Sequence, residues 1–280
     1  MRVATLNVHH LRSPDRLAAK VREHGQLDVL AVQEACSAAA TAKFAAALEM
    51  RVAVEHRTSI GLSNLILVRE DEMIGSTVAF ELACNQTKES RTAVAVWLPR
   101  FGLHVVCTHL DHQSESTRLI QVRELRHHLS AAWSEGRGCL ERLVCHVGKV
   151  PFLMLGDMNS LRRGDYDEEE WQGLCASRAK AGIASETAVI EELEGAAWRL
   201  ADCRSIAEHV GGSTATCTFG SRVDYVLASL AARDRWRAAA VYHVDLEPDC
   251  KGIPVTDHRL VVCELTEVTA HATCQRGRVS

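Results

Sequence analysis

Apolar residues in this chain come in short runs, and most runs stop abruptly on a polar residue. RVATLNV (2–8) has the composition of a strand. Leu17 and Val21 share a helical spacing that predicts a helix over 15–25, stopped by Gly25. LDVLAVQEA (27–35) predicts a buried strand ending in Glu34, and the alanine-rich stretch 37–50 a second helix. Four further strands are expected at 61–69, 76–83, 92–98 and 103–110. Residues 114–133 carry an amphipathic period, with Leu119, Val122, Leu125 and Leu129 on the buried stripe. Residues 139–147 are apolar and fit no element, and PFLML (151–155) is the next strand. A polar, helical region follows over 162–200, opening on the acidic DYDEEEW, and strands at 221–229, 239–246 and 259–265 close the pattern. Strands outnumber helices and both occur throughout, so the expected class is α+β or layered α/β. No flexible linker and no short repeat interrupts the chain. That predicts one domain over 1–266 and a C-terminal tail over 267–280.

The polar residues that end the runs form a chemical set. Asn7 follows VATL, Glu34 follows VLAVQ, and His109 follows HVVCT. Asp157 and Asn159 follow FLMLG, with Gly156 read as the residue that turns the chain. Asp224 lies inside RVDYVL, and Asp257 and His258 precede RLVVCEL. Strand ends form the rims of clefts in layered proteins, and sites collect there. Carboxylate and amide oxygens without thiolates suit a hard cation such as Mg²⁺ or Mn²⁺. An amide can orient a water that a neighbouring carboxylate deprotonates. A histidine beside an aspartate can be held charged against a phosphate oxyanion. Together these are the parts of a metal-assisted phosphoester hydrolase. Taken singly, each has a plainer reading, since an Asp after a strand is most often a turn former or helix cap. Asp224 resists that reading: a carboxylate inside a buried strand is costly without a partner, and a histidine from another strand would serve.

Composition narrows the field without deciding it. The chain has 280 residues, 47% of them hydrophobic and 24% charged, an ordinary globular balance. A net charge of −4 does not advertise a nucleic-acid-binding face. Eleven scattered cysteines with no C-x-x-C read as reduced, structural thiols. There is no signal-peptide pattern and no apolar run of membrane-spanning length. The expectation is an intracellular protein, cytoplasmic or nuclear, that does not insert into membranes. GLSNL lacks the second glycine of a G-x-S-x-G elbow, and no phosphate-binding G-x-x-x-x-G-K-[ST] occurs. His104 and His109 are five apart on one strand and point to opposite sides, which argues against a zinc pair. The doublets His9–His10 and His127–His128 each predict one solvent-facing and one partly buried ring.

The ordered set ATLNVHHL, DVLAVQEA, GLSNLILVR, ESRTAVAVWL, VVCTHLDH, FLMLGDMNS, RVDYVLAS and VTDHRLVV resembles the endonuclease/exonuclease/phosphatase superfamily, the deoxyribonuclease I-like proteins. The resemblance implies a four-layered α/β/β/α sandwich with its site at one edge, between two sheets. It also implies Mg²⁺- or Mn²⁺-dependent hydrolysis of phosphoesters, of phosphodiesterase or nuclease type. By the same resemblance Glu34 is the principal metal ligand, with Asn7 and Asp257 beside the metal. Asp157 and Asn159 act on the attacking water. His258 contacts the phosphate and is supported by Asp224, and His109 contacts the phosphate too. Arg91 stands where the family often carries arginine and reads as structural support. His9 is a departure, because some members carry an acidic residue there.

Substrate is chosen by loops in this superfamily. Its members act on DNA, RNA, inositol phosphates and phospholipids. A phosphomonoesterase, a phospholipid-type phosphodiesterase and a catalytically silent binding member are the alternatives on the same scaffold; an unrelated α/β binding protein is the alternative outside it. Arg162 and Arg163 are candidates to hold a substrate phosphate, against the plainer reading of surface charge near a helix start. The acidic run beside them would repel a long polyanion, and at 5% aromatic residues no stacking groove is apparent. The expectation therefore leans away from processive DNA handling. The expected partner is a phosphoester substrate, nucleic acid included, and the expected state a monomer.

Overall fold

Two sheets take up the apolar runs. The computed structural model describes residues 1–83, 89–134, 149–246 and 254–268. In chain order the elements are β1 (Arg2–Asn7), α1 (Pro14–Arg22), β2 (Val29–Ala35), α2 (Ala38–Ala47), β3 (Met50–Arg57), β4 (Ser63–Arg69), β5 (Thr77–Leu82), β6 (Arg91–Leu98), β7 (Leu103–His109) and α3 (Glu115–Ser134). There follow β8 (Phe152–Asp157), α4 (Glu168–Lys180), α5 (Ala188–Glu194), β9 (Ala201–Asp202), α6 (Cys203–Ile206), β10 (His209–Gly211), β11 (Asp224–Ala228), α7 (Leu230–Arg233), β12 (Trp236–Val244) and β13 (Leu260–Glu267). One sheet runs β10-β12-β13-β1-β2-β4-β3, the other β5-β6-β7-β8-β11-β9.

The central strands are apolar on both faces because both faces are covered. In β1, Val3 faces the other sheet and packs with Val94, Val105 and Leu155, while Ala4 and Leu6 face away and pack with Leu17, Val21 and Phe44 of α1 and α2. On the far side, Val106 and Met154 pack against Val122, Leu125 and Leu129 of α3 and Ile190 of α5. The layers are helix, sheet, sheet, helix, as the α/β/β/α expectation had it.

Where the parallel pairs end decides where the site lies. β1 runs parallel to β2 with Asn7 opposite Gln33, and β7 parallel to β8 with His109 opposite Asp157. The C-terminal ends of strands from both sheets therefore open on one edge. Asp224 of β11 is opposite Asp157 of β8. The chain just before β11 is held by Arg222, whose buried guanidinium reaches Asp202 at 2.7 Å and Asp165 at 2.9 Å.

Several boundaries differ from the sequence reading. The strand after PFLML does not stop at Gly156 but continues through it to Asp157. Gly156 is required for another reason: a Cβ there would lie 1.8 Å from the Thr108 carbonyl oxygen on β7. The second helix ends at Ala47 rather than 50, and Met50 opens β3, which periodicity does not predict. The first helix ends at Arg22, with Gly25 at φ +90° beyond it. On α3 the buried face includes the polar Arg118 and Gln121, while Leu119 is only half-buried. β13 carries one residue past the expected boundary at 266; residues 269–280 of the expected tail and the run 139–147, Cys145 included, lie outside the described residues. Among the described residues no helix is long and apolar enough to cross a membrane.

Candidate active site

Glu34 should continue the alternation of β2, but it does not. The pairing of β2 with β4 shifts between Val32 and Ala35, and Glu34 takes φ +62° inside this bulge. A bulge re-aims the side chain it carries. Here the Glu34 carboxylate turns to Asn7, whose Nδ2 donates to Glu34 Oε1 at 3.1 Å. The same Nδ2 lies 3.3 Å from Asp157 Oδ2 on the other sheet. One amide thus links carboxylates from the two layers.

Left-handed backbone is concentrated at this edge. Among the described residues, seven non-glycine residues have positive φ, and five of them are His9, His10, Leu11, Glu34 and Asn159. Such conformations cost about 1–3 kcal/mol each and persist where surrounding structure imposes them, typically at functional sites.

Asp157 is almost fully buried at the end of β8. Its Oδ1 accepts the Asn159 backbone N–H at 2.9 Å. Burial pushes its carboxyl up to about 7, the nearby Asp224 charge adds to this, and His258 works against it. Asn159 donates its Nδ2 to the Leu110 carbonyl at 3.0 Å and lies 3.1 Å from His109 Nε2. With that nitrogen accepting, His109 is neutral, and burial together with the Arg91 cation holds its proton affinity well below the ordinary value. His109 also lies 3.8 Å from Glu34 and 3.7 Å from Asp157.

His258 has the opposite character. Burial opposes its charge, yet the Asp224 carboxylate, with Nδ1 2.8 Å from Oδ2, outweighs burial and raises it to about 11. Its Nε2 faces Asp157 Oδ2 at 3.8 Å. Asp224 is completely buried, and Thr216 Oγ1 accepts its backbone N–H at 3.1 Å. Thr256 ties the entry to β13 back to β1, donating to the Asn7 carbonyl at 2.7 Å while accepting the His258 N–H at 3.2 Å. The partner required for a carboxylate in RVDYVL is therefore His258.

Asp257 lines the same cavity as Asn7, Glu34, His109, Asp157, Asn159 and His258, a space of about 370 Å³. Its Oδ1 is a buried oxygen with no hydrogen-bond partner among the described residues. Arg162 and Arg163 are not brought to this cavity. Arg162 is paired with Glu194 at 2.8 Å and Asp165 at 3.4 Å, and Arg163 with Glu168 while stacking over Trp171. Both are committed to holding the segment before α4.

The sequence reading gave no catalytic part to three residues that line the cavity: His9, noted only as a departure, His10, and Arg91, read as structural support. His9 has the solvent-facing ring expected of its doublet and His10 the partly buried one, as is also true of His127 and His128. Both rings of the first doublet nevertheless line the site cavity. Arg91 also lines it, buried, with Nη2 donating to His112 Nδ1 at 2.8 Å. The signal for the pair was present in ESRTAV and THLDH but invisible to periodicity.

No known family's sequence model matches the chain, and no curated protein matches it. Solved structures do. An endonuclease/exonuclease/phosphatase protein from Bacteroides vulgatus aligns with a TM-score of 0.68 at 16% identity, covering 95% of this chain and 98% of its own. The chain has the endonuclease/exonuclease/phosphatase fold. A mannosyl-6-phosphatase from Bacteroides thetaiotaomicron is similar at TM-score 0.67 and 14% identity, over 95% of this chain and 99% of that one. The catalytic domain of human Nocturnin, solved with a sulfate anion, is similar at TM-score 0.66 and 14% identity, over 96% and 94%. The fold read from the eight ordered motifs is thus the fold observed.

Proposed function

We propose that the chain hydrolyses phosphoester bonds at this edge. The observation that carries the reading is the grouping of three side chains at one edge: Asp157 Oδ2 lies 3.8 Å from His258 Nε2 and 3.7 Å from His109 Nε2, and His258 Nδ1 lies 2.8 Å from Asp224 Oδ2. Burial raises the Asp157 carboxyl, Asp224 raises His258, and burial lowers His109. A carboxylate whose proton affinity is raised can take a proton from water at neutral pH, and an imidazolium held by a buried carboxylate can face a phosphate oxyanion.

In this reading Asp157 accepts the proton of the attacking water, and Asn159 orients that water. The His258 imidazolium, fixed by Asp224, stabilises charge developing on the phosphate. His109 positions Asn159 from one side and borders Glu34 on the other. Glu34 and Asp257 fit a divalent cation, since both carboxylates line the cavity and Asp257 Oδ1 has no hydrogen-bond partner among the described residues. Asn7 fits less directly, because its Oδ1 accepts the His9 backbone N–H at 3.1 Å and its Nδ2 holds Glu34. It positions a ligand more than it offers one. A bound Mg²⁺ or Mn²⁺ would supply positive charge to a phosphate oxygen.

The substrate reading is a compact phosphoester. Beside the site lies a second cavity of about 550 Å³, sharing His112, Asn159, Phe219 and His258 with the first and extending to Arg178, Ile183 and Glu186. That size suits one small organic group. The exposed acidic start of α4 disfavours a long polyanion. The neighbour that is a mannosyl-6-phosphatase supports a phosphomonoester as readily as a diester. The test is a panel with Mg²⁺ or Mn²⁺: p-nitrophenyl phosphate, bis-p-nitrophenyl phosphate, a sugar phosphate, single- and double-stranded DNA, and RNA. Turnover of small esters above polynucleotides supports the reading; no turnover of any member contradicts it.

The domain is proposed to end close to β13, and the protein to act as a monomer.

A further inference from the structure

The second cavity beside the site carries more positive charge than its own lining neutralises. Three cationic side chains line it, Arg118, Arg178 and His258, against one carboxylate, Glu186. Arg118 is committed: it is buried, pairs with Glu186 and donates to the Asp111 carbonyl at 2.7 Å. His258 is matched by Asp224 behind it. Arg178 has no ion-pair partner among the described residues. Its Nε and Nη2 donate to the Ala184 carbonyl at 3.1 and 2.8 Å, and its Nη1 to Ser221 Oγ at 3.3 Å. Both acceptors are neutral.

Arg178 is half-buried, and burial disfavours a charge that no counter-ion compensates. Burial holds its proton affinity below the ordinary arginine value, and the Arg118 cation adds to this. Arg178 stands in the last turn of α4, where a helix C-terminus favours a cation. That accounts for an arginine at this position but not for its place in a cavity wall. Its bonds use three of the five guanidinium N–H groups and leave one on each terminal nitrogen. Such donors suit a carboxylate or a phosphate, which can accept from both. Ser221 ties this cation to the reacting centre. Its Oγ lies 3.3 Å from Cys217 Sγ, and Cys217 pairs with His258 across an antiparallel bridge.

We propose that Arg178 sets specificity by binding a carboxylate or phosphate on the leaving-group side of the substrate, so that the chain prefers small phosphoesters whose alcohol carries a second negative charge. This deepens the proposed function by naming its substrate class, and it rests on that reading's placement of the reacting phosphate beside His258. Binding is read apart from turnover, so failure of this subsite and failure of hydrolysis give different results.

The experiment uses three compounds built on one three-carbon frame: glycerol 3-phosphate, 3-phosphoglycerate and glycerol 1,3-bisphosphate, which end in a hydroxymethyl, a carboxylate and a phosphate. Calorimetric titration with Mg²⁺ present measures their affinity for the full chain carrying Asp157→Asn, which slows turnover, and for the same chain with Arg178→Gln or Arg178→Lys added. Phosphate release by the unsubstituted chain is followed in parallel. At least one charged compound should bind about 10-fold or more tighter than glycerol 3-phosphate, as a hydrogen-bonded charge pair provides. The tighter of the two shows which anion the subsite takes. Arg178→Gln should abolish the preference and leave the affinity for glycerol 3-phosphate unchanged, while Arg178→Lys, which keeps the charge without the fork, should retain part of it. Equal affinity for all three compounds, or a preference that survives Arg178→Gln, would overturn the proposal. So would an equal loss for all three in Arg178→Gln, the mark of a purely structural cap on α4. If melting curves show that variant unfolded, the three-compound comparison and Arg178→Lys still decide. Absence of phosphate release with the binding preference intact would count against hydrolysis and not against the subsite.

Discussion

His258 Nδ1 lies 2.8 Å from Asp224 Oδ2, in a pair whose carboxylate is wholly buried and whose imidazole borders the cavity. Each member justifies the other: the carboxylate would be costly alone, and the imidazole would lose its charge. Groups that act as a unit are non-additive when removed. His258→Ala, Asp224→Ala and the double variant should therefore lose similar activity in a double-mutant cycle. Multiplicative losses would show the two acting separately.

The pH dependence of activity follows from the same neighbourhood. In the proposed mechanism catalysis needs Asp157 ionised and His258 protonated. Activity per enzyme should rise as pH passes through about 7 and decline only towards about 11. Asp224→Asn removes the charge that holds the upper limit, so its activity should fall at a lower pH than in the wild type. A profile with no acid limb would remove Asp157 from the base role.

Stability should fall with rising pH in two separate windows, one for each group. Asp157 has its folded pKa raised from 3.8 to about 7, so its ionisation works against folding as pH climbs through that window. Asp157→Asn should then melt higher than wild type above pH 7, by a few °C, and show little difference near pH 4. His258 is raised from 6.5 to about 11, so its contribution is fully present below 6.5 and is lost as pH rises through 11. His258→Gln should melt lower than wild type at pH 6, with the gap closing towards pH 11. Calorimetric scans across pH check both signs.

Gly156→Ala tests the strand that carries Asp157. The added methyl would sit 1.8 Å from the Thr108 carbonyl oxygen, so backbone must move. Overpacking of this kind costs about 1–3 kcal/mol or more. Denaturant titration should show at least that loss, and a neutral result would mean β7 and β8 can part without penalty.

Much of this fold was legible because its central strands are covered on both faces and therefore read as unbroken apolar runs, as in VLAVQ and FLML. β3 was not, because it is an edge strand whose residues are mostly half-buried; Arg51, Glu55, His56 and Arg57 break any run. Asp224 was legible as half of a pair, since a carboxylate inside an apolar strand demands a partner. His9 was not, because its place depends on a left-handed turn and on the bulge at Glu34, and neither leaves a periodic trace. Arg162 misled through proximity: three residues from Asn159 in sequence, it is drawn to Glu194 instead.

The central claim is that Asp157 activates water at this site. It is tested most directly by kcat of wild type and Asp157→Asn on a small phosphoester, with saturating divalent cation at pH 8 and melting temperatures in parallel. The asparagine keeps the shape and cannot take a proton. The prediction is a loss of about 10²–10⁴-fold in kcat with the fold intact. A folded Asp157→Asn protein with near-wild-type kcat would contradict it.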